Sequence, residues 1–235
     1  VLETAGIRKF FSGPESFTPD TNTLLGEVPE VKNFFVCCGL NSIGIGSGGG
    51  VGKATAEWMM AGHINEDIFS YDIKRFQKFH SELGFIKKRI TETLGDLYGM
   101  HWPFKQHKTS RNIKITPYHD ELKEAGACFG VSGGYERPMW FAINGNKADY
   151  EYSYNFQNWY PSAEFETKNT TENVGLFDLT PFSKFEIKSD IAHQELQRIC
   201  TANIKNEIGR CTYTHMLNND GGIETDLTVV CIDKD

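Results

Sequence analysis

The sequence predicts a mixed α+β (mixed α/β) chain made of more than one body. Its 235 residues exceed one average domain of roughly 150 and fall short of two. β-branched and aromatic runs, such as 31–38 and 225–232, alternate with segments of helical period, such as 85–98. Aromatic residues at 13% restore core-forming capacity to a chain that is 39% hydrophobic.

In chain order, Val31 to Cys38 suits a buried strand, with the adjacent Cys37 and Cys38 read as small buried hydrophobes on opposite faces. Gly39-Leu40-Asn41-Ser42-Ile43-Gly44-Ile45-Gly46-Ser47-Gly48-Gly49-Gly50-Val51-Gly52 follows, with seven glycines in fourteen positions, and reads as a loop. Lys53 to Ala61 reads as a helix closed by Gly62. Strand, glycine loop and helix N-terminus together form a geometry suited to anions and flat cofactors, because free N–H groups face outward and no side chain blocks approach. The formal G-x-G-x-x-G at 44–49 asks for an acidic residue about 20 positions on. Glu66 and Asp67 stand near there, but the following segment reads as helical rather than as a parallel strand. A pyrophosphate site, a loop facing a cofactor ring and simple close packing are the three readings of this run.

Tyr71 to Tyr98 reads as helical, with Phe85, Ile86, Arg89, Ile90, Thr93, Leu94, Leu97 and Tyr98 on one inward face. Thr116-Pro117 fits the N-cap and first position of a short helix ending at Gly126. Residues 136–141 and the aromatic run 150–160 read as an irregular linker carrying hydrophobic anchors. Lys184 to Lys188 alternates like a half-buried strand. Ser189 can cap a helix running to about Ala202, with Ile191, Leu196, Ile199 and Cys200 inward. Arg210–Leu217 and Ile223–Ile232 then form a hairpin across Asn218–Gly222, with Asp226 just past the turn and Glu224 two residues before it.

The net charge of −7 argues against a nonspecific grip on nucleic acid. No stretch approaches the roughly 18 apolar residues of a membrane span, and the first twenty residues lack a signal pattern. Six cysteines form no C-x-x-C pair, which fits a reduced compartment, so the acceptor triplet Asn169-Thr170-Thr171 is discounted. Seven histidines show no close pairing, and no protein metal site is expected. The chain opens on Val1 rather than Met and runs as a strand almost to Asp235, so both ends are expected to lie inside a longer protein.

Several segments occur in an order that resembles the sarcosine and dimethylglycine dehydrogenase family. They are Gly13-Pro14-Glu15-Ser16-Phe17-Thr18-Pro19-Asp20, the Gly39–Gly52 run, Tyr71-Asp72-Ile73-Lys74-Arg75-Phe76, Tyr135-Glu136-Arg137-Pro138-Met139-Trp140-Phe141, Val174-Gly175-Leu176-Phe177-Asp178-Leu179, and Met216-Leu217-Asn218 through Gly221-Gly222-Ile223-Glu224-Thr225-Asp226-Leu227. The resemblance implies the end of an amino-acid-oxidase-type FAD domain at 1–62, an intermediate region at 63–149 and the start of an aminomethyltransferase-like folate domain at 150–235. The family's diphosphate fingerprint and its flavin-linking histidine would lie upstream.

The implied activity is oxidation of an N-methyl group by hydride transfer to FAD, with capture of the carbon on tetrahydrofolate. Sarcosine is the first expected substrate and dimethylglycine the second. Gly39, Leu40, Asn41, Ser42, Gly44 and Gly48 would face the flavin. Asp226 matches the family's acid near the folate nitrogens, and Met216 and Leu217 would offer apolar wall. Implied partners are a small amine, electron-transfer flavoprotein and other chains of an assembly. The compartment would be the mitochondrial matrix in a eukaryote and the cytoplasm in a bacterium. Two alternatives are a noncatalytic relative, such as the regulatory subunit of pyruvate dehydrogenase phosphatase, and a structural subunit that retains a remnant of the fold.

Overall fold

The computed structural model describes residues 2–64 and 67–233, so Val1 and Glu66 lie outside the described residues. The chain divides into two compact units, Val1–Pro181 and Phe182–Asp235. Among the described residues no helix is long and apolar enough to cross a membrane.

The first unit opens with an antiparallel hairpin, β1 (Leu24–Glu27) and β2 (Phe35–Cys38), in register from Leu24 opposite Cys38 to Glu27 opposite Phe35. Leu25 is its buried anchor. Gly26 has a positive φ, and a Cβ there would fall 2.5 Å from the Trp58 ring, so only glycine lets that indole lie on the strand. Cys37 and Cys38 are exposed, contrary to the buried reading, because β2 belongs to a sheet of two strands and ends uncovered.

Helix α1 runs Gly44–Ala61 and ends at Gly62 in the left-handed conformation, the expected C-cap. The glycine loop therefore stops at Ile43, and Gly44 and Gly48 are helical. Glycine propensity costs up to about 1 kcal/mol per position, but Ala54 and Trp58 fix the helix on the hairpin and its start follows from that anchoring. The 44–49 motif thus lies within a helix and not at a strand-to-helix turn, which removes the context of a diphosphate fingerprint.

Three short 3-10 turns, Phe69–Tyr71, Ile73–Arg75 and Lys78–Ser81, replace the first part of the expected long helix. Only α2 (Leu83–Asp96) is α-helical, with Phe85, Arg89 and Thr93 buried. Leu94 and Tyr98 are exposed, so the inward stripe is narrower than its spacing suggested. α3 spans His119–Glu124; the Thr116 carbonyl accepts from the His119 N–H, and Gly126 at φ 90° ends the turn.

Residues 135–141 are not irregular. β3 (Ala127–Ser132) and β4 (Tyr135–Phe141) pair antiparallel through a Gly133-Gly134 turn, with a register shift between Cys128 and Phe129. Pro138 made the segment look unlike a strand, but it sits opposite Phe129 beside that shift, where a missing N–H is tolerated. The Glu136 N–H donates to the Lys114 carbonyl at 2.8 Å, and the Phe141 N–H to Glu166 Oε1 at 2.7 Å. Glu166 belongs to α4 (Tyr160–Glu172), a helix with Pro161 in its first turn that the sequence reading missed.

The second unit is built on β5 (Cys211–Leu217) and β6 (Ile223–Val230), the expected hairpin. α5 covers Ala192–Ile199, shorter than expected, and the Ser189 Oγ accepts from the Ile191 N–H at 3.3 Å. Of its expected inner stripe only Cys200 is buried, beside Ile204 and Thr214. Residues 184–188 form no strand, and Phe185 and Ile187 are exposed.

Candidate functional site

In the first unit the chain reverses at Gly39–Ile43. Gly39 has φ 66°, and a Cβ there would meet the Thr18 methyl at 2.6 Å. Asn41 (φ 47°) and Ser42 (φ 64°) are consecutive non-glycine residues in the left-handed region, a strained pair that must be held by its surroundings. Asn41 is 2% exposed. Its Oδ1 accepts from the Thr18 N–H at 2.8 Å, its Nδ2 donates to the Gly39 carbonyl at 2.6 Å, and its own N–H donates to the Ser16 carbonyl at 3.2 Å. Ser42 Oγ donates to Glu15 Oε1 at 2.5 Å. Asn41 therefore shapes the loop from inside, while Ser42 and Glu15 stand at its surface.

The same network continues through Thr18 Oγ1 to Asp20, which Arg75 grips with two of its nitrogens. Glu15 and Asp20, left unassigned on the sequence as solvated loop charges, thus tie three motif segments together. Sequence offered no signal for this, since the partners lie far apart in the chain.

Beyond the loop, the N–H groups of Gly44, Ile45 and Gly46 have no helix carbonyl to pair with. No side chain caps them, and no acidic residue stands in the first turn. A Cβ at Gly44 would crowd Leu40 at 2.9 Å, whereas one at Gly46, Gly48, Gly49 or Gly50 would meet nothing within 4 Å. The helix thus opens on a ledge of glycines interrupted by the exposed Ile45 and by Ser47, with positive dipole character that suits a ligand group carrying negative charge.

In the second unit Asp226 lies on exposed β6 opposite His215, and Tyr213 Oη donates to its Oδ2 at 3.2 Å. Desolvation first, and then the neighbouring carboxylate charge, push the Tyr213 hydroxyl above its ordinary pKa. Tyr213 was not singled out from sequence; its place across from Asp226 follows only once the register is known. Met216 pairs with Thr225 and alternates to the face opposite Asp226. Leu217 pairs with Ile223 past a register shift that leaves Glu224 without a partner, and it is exposed. Asp226, Tyr213 and His215 stand together on one face of the hairpin, a carboxylate, a phenol and an imidazole within reach of one another.

Residues 118–235 match the GCVT N-terminal domain model, half of the chain. The chain belongs to the GCVT N-terminal domain family. Just upstream, residues 61–116 of this GCVT-family chain match the FAD dependent oxidoreductase central domain. It is 42% identical over its full length to 4-methylaminobutanoate oxidase (formaldehyde-forming) of Paenarthrobacter nicotinovorans, of which it spans 28%. It is 35% identical over 99% of its length to the mitochondrial pyruvate dehydrogenase phosphatase regulatory subunit of Mus musculus, spanning 27% of that protein. It is also 34% identical over 97% of its length to the mitochondrial sarcosine dehydrogenase of Mus musculus, spanning 28%. The GCVT-family chain thus covers little more than a quarter of the curated relatives it matches.

Proposed function

We propose that this chain is part of a flavin-dependent enzyme that demethylates an N-methylated amino acid and passes the carbon to a folate. What carries the reading is the order of the two family matches, oxidoreductase central domain and then GCVT domain, in one chain. An intermediate region followed by a folate domain is the order proposed from the motifs, although the GCVT match begins at 118 rather than 150, and the flavin-domain end at 1–62 remains a proposal. Sarcosine and dimethylglycine remain proposed substrates, and the name of the 42% relative adds 4-methylaminobutanoate to that class.

When bound, a flavin would supply the hydride acceptor and a folate the one-carbon acceptor. The chain's own residues have simpler tasks. Gly39, Leu40, Asn41 and Ser42 would set the angle at which α1 meets the ring. Gly44 and Gly48 would keep its surface bare, and the first N–H groups of α1 would favour negative charge on it. Asp226 would orient the folate nitrogens and move protons there, steadied by Tyr213, with Leu217 proposed as apolar wall, while Met216, on the other face of β5, would support the strand from behind. A small amine substrate, electron-transfer flavoprotein and other chains are the proposed partners, in the matrix of a mitochondrion or in bacterial cytoplasm.

The test is the visible spectrum of the purified full-length protein, followed by anaerobic addition of sarcosine, dimethylglycine and 4-methylaminobutanoate. Bleaching of the flavin bands by one of them supports the reading. A colourless protein supports the second reading, a noncatalytic regulator, which the 35% identity to a phosphatase regulatory subunit favours.

A further inference from the structure

A separate cavity of about 400 Å³ opens in the first unit among the 17–19 segment, β1, residues 29–30, the 73–81 turns and α2. Its wall is mainly apolar, with Phe17, Leu24, Ile73, Phe76, Ile86 and Ile90 contributing. A volume of this size lies within the roughly 300–1,000 Å³ of small-molecule sites.

The polar groups in the wall decide what such a guest must carry. Thr18 Oγ1 is committed to the Asn22 carbonyl at 2.9 Å, and Ser81 Oγ to the Lys78 carbonyl at 2.7 Å. The Gln77 amide is spent on both ends, donating to the Gly133 carbonyl at 2.8 Å and accepting from Lys114 Nζ at 2.8 Å. Glu30 and Lys78 are exposed charges of opposite sign, so they bring no net charge to the wall. His80 is different. Its ring sits among Phe79, Phe85 and Phe76, with centroids 4.0, 5.0 and 5.1 Å away. The Gln77 N–H donates to Nδ1 at 2.9 Å, and a proton on Nδ1 would collide with that N–H. Nδ1 also stands 3.3 Å from the Gln77 carbonyl, but the shorter contact with the N–H favours Nδ1 as acceptor and places the neutral ring's proton on Nε2, which makes no hydrogen bond to the described residues. Burial, the largest cause, lowers the ring's pKa, against the raising effect of the Gln77 carbonyl.

We infer that this cavity is a binding site for an uncharged, compact apolar molecule carrying one oxygen acceptor, a ketone, ether or ester, which His80 reads through Nε2–H. The inference stands apart from the proposed demethylation, since it uses neither the Gly39–Gly48 ledge nor Asp226.

The test uses the purified full-length protein with 1-indanone as probe and indane, which lacks the oxygen, as control. Equilibrium dialysis is expected to show one indanone bound per chain, and none in Ile86→Trp, whose indole fills the cavity. His80→Phe is expected to weaken indanone by about ten-fold, the size of one lost hydrogen bond, and to leave indane unchanged. A diazirine analogue of indanone, mapped by mass spectrometry on the unaltered protein, is expected to label peptides within 17–30 or 73–90. This last measurement does not depend on any variant folding. Labelling elsewhere, no uptake, or equal loss of indanone and indane in His80→Phe would overturn the proposal.

Discussion

Arg75 holds Asp20 across 55 positions of chain, Nε to Oδ2 at 2.7 Å and Nη2 to Oδ1 at 3.0 Å. The guanidinium also donates to the carbonyls of Asn22, Tyr71 and Asp72 and lies 4.3 Å from the Phe76 ring centroid. One planar fork therefore staples the segment before β1 to the 3-10 turns after α1.

Because lysine offers a single point charge, it cannot reproduce this fork. Arg75→Lys is expected to cost about 1–3 kcal/mol, the worth of one or two charged hydrogen bonds in a partly exposed site. Urea unfolding of the full-length protein measures it, and an unchanged midpoint would show that the contact carries no stability.

The ledge at the start of α1 separates stability from cofactor binding. Gly48→Ala is expected to stabilise the helix by up to about 1 kcal/mol, since the site is open and glycine is the poorer helix former. Gly48→Phe is expected to keep the fold and lower flavin occupancy, read as the ratio of flavin to protein absorbance. Full occupancy in Gly48→Phe would remove the ledge from the flavin site. Gly44→Val serves as contrast, because its Cβ meets Leu40 and must displace that side chain beside the loop.

On the folate side, Asp226→Asn is expected to slow transfer of the carbon to tetrahydrofolate while dye-coupled amine oxidation stays nearly intact. Tyr213→Phe, which removes only the donor to Asp226 Oδ2, should have a smaller effect of the same kind and shift the pH profile of transfer. Glu224→Gln is the control, standing at the register shift with no strand partner. Equal loss of both activities in Asp226→Asn would point to a folding role.

Glu136 gives the fold a defined acid limit. It is 2% exposed, and burial alone would raise its pKa; hydrogen bonds from Arg111 and the Asn112 N–H outweigh burial and hold it below the ordinary carboxylate value. A depressed carboxylate contributes stability that is fully present above its unfolded pKa of about 4.3 and lost as pH falls through the lower folded value. Glu136→Gln should therefore destabilise the protein at pH 7 and flatten the loss of urea midpoint below pH 4.3. Parallel curves for the two proteins would assign that acid limb elsewhere.

What could be read from sequence was whatever is written locally. Asn218–Gly222 between two alternating runs marked the β5–β6 hairpin, and Gly62 marked the end of α1, because turn and cap chemistry depends on neighbours a few residues away. The start of α1 was not legible, since helix at Gly44–Gly52 rests on Trp58 and the hairpin beneath it rather than on propensity. β4 was hidden by Pro138, whose harmlessness depends on a register shift in the partner strand. The placement of Asn41 illustrates the same limit at the site. Its position in the loop was readable, but its buried bonds to Thr18 and Gly39 come from a segment more than twenty residues earlier and from its own left-handed backbone.

The outer edge of β4 has a further consequence. The N–H of Glu136 is taken by Lys114, position 138 is a proline and has none, and the N–H of Phe141 is taken by a carboxylate of α4. An incoming strand would find these donors already used, so the edge is a poor template for zipping onto another chain. On this side the β3–β4 pair is guarded against growth into a larger sheet by the contacts that seat it on its neighbours, and a partly unfolded chain that keeps them is shielded there from one common route to aggregation.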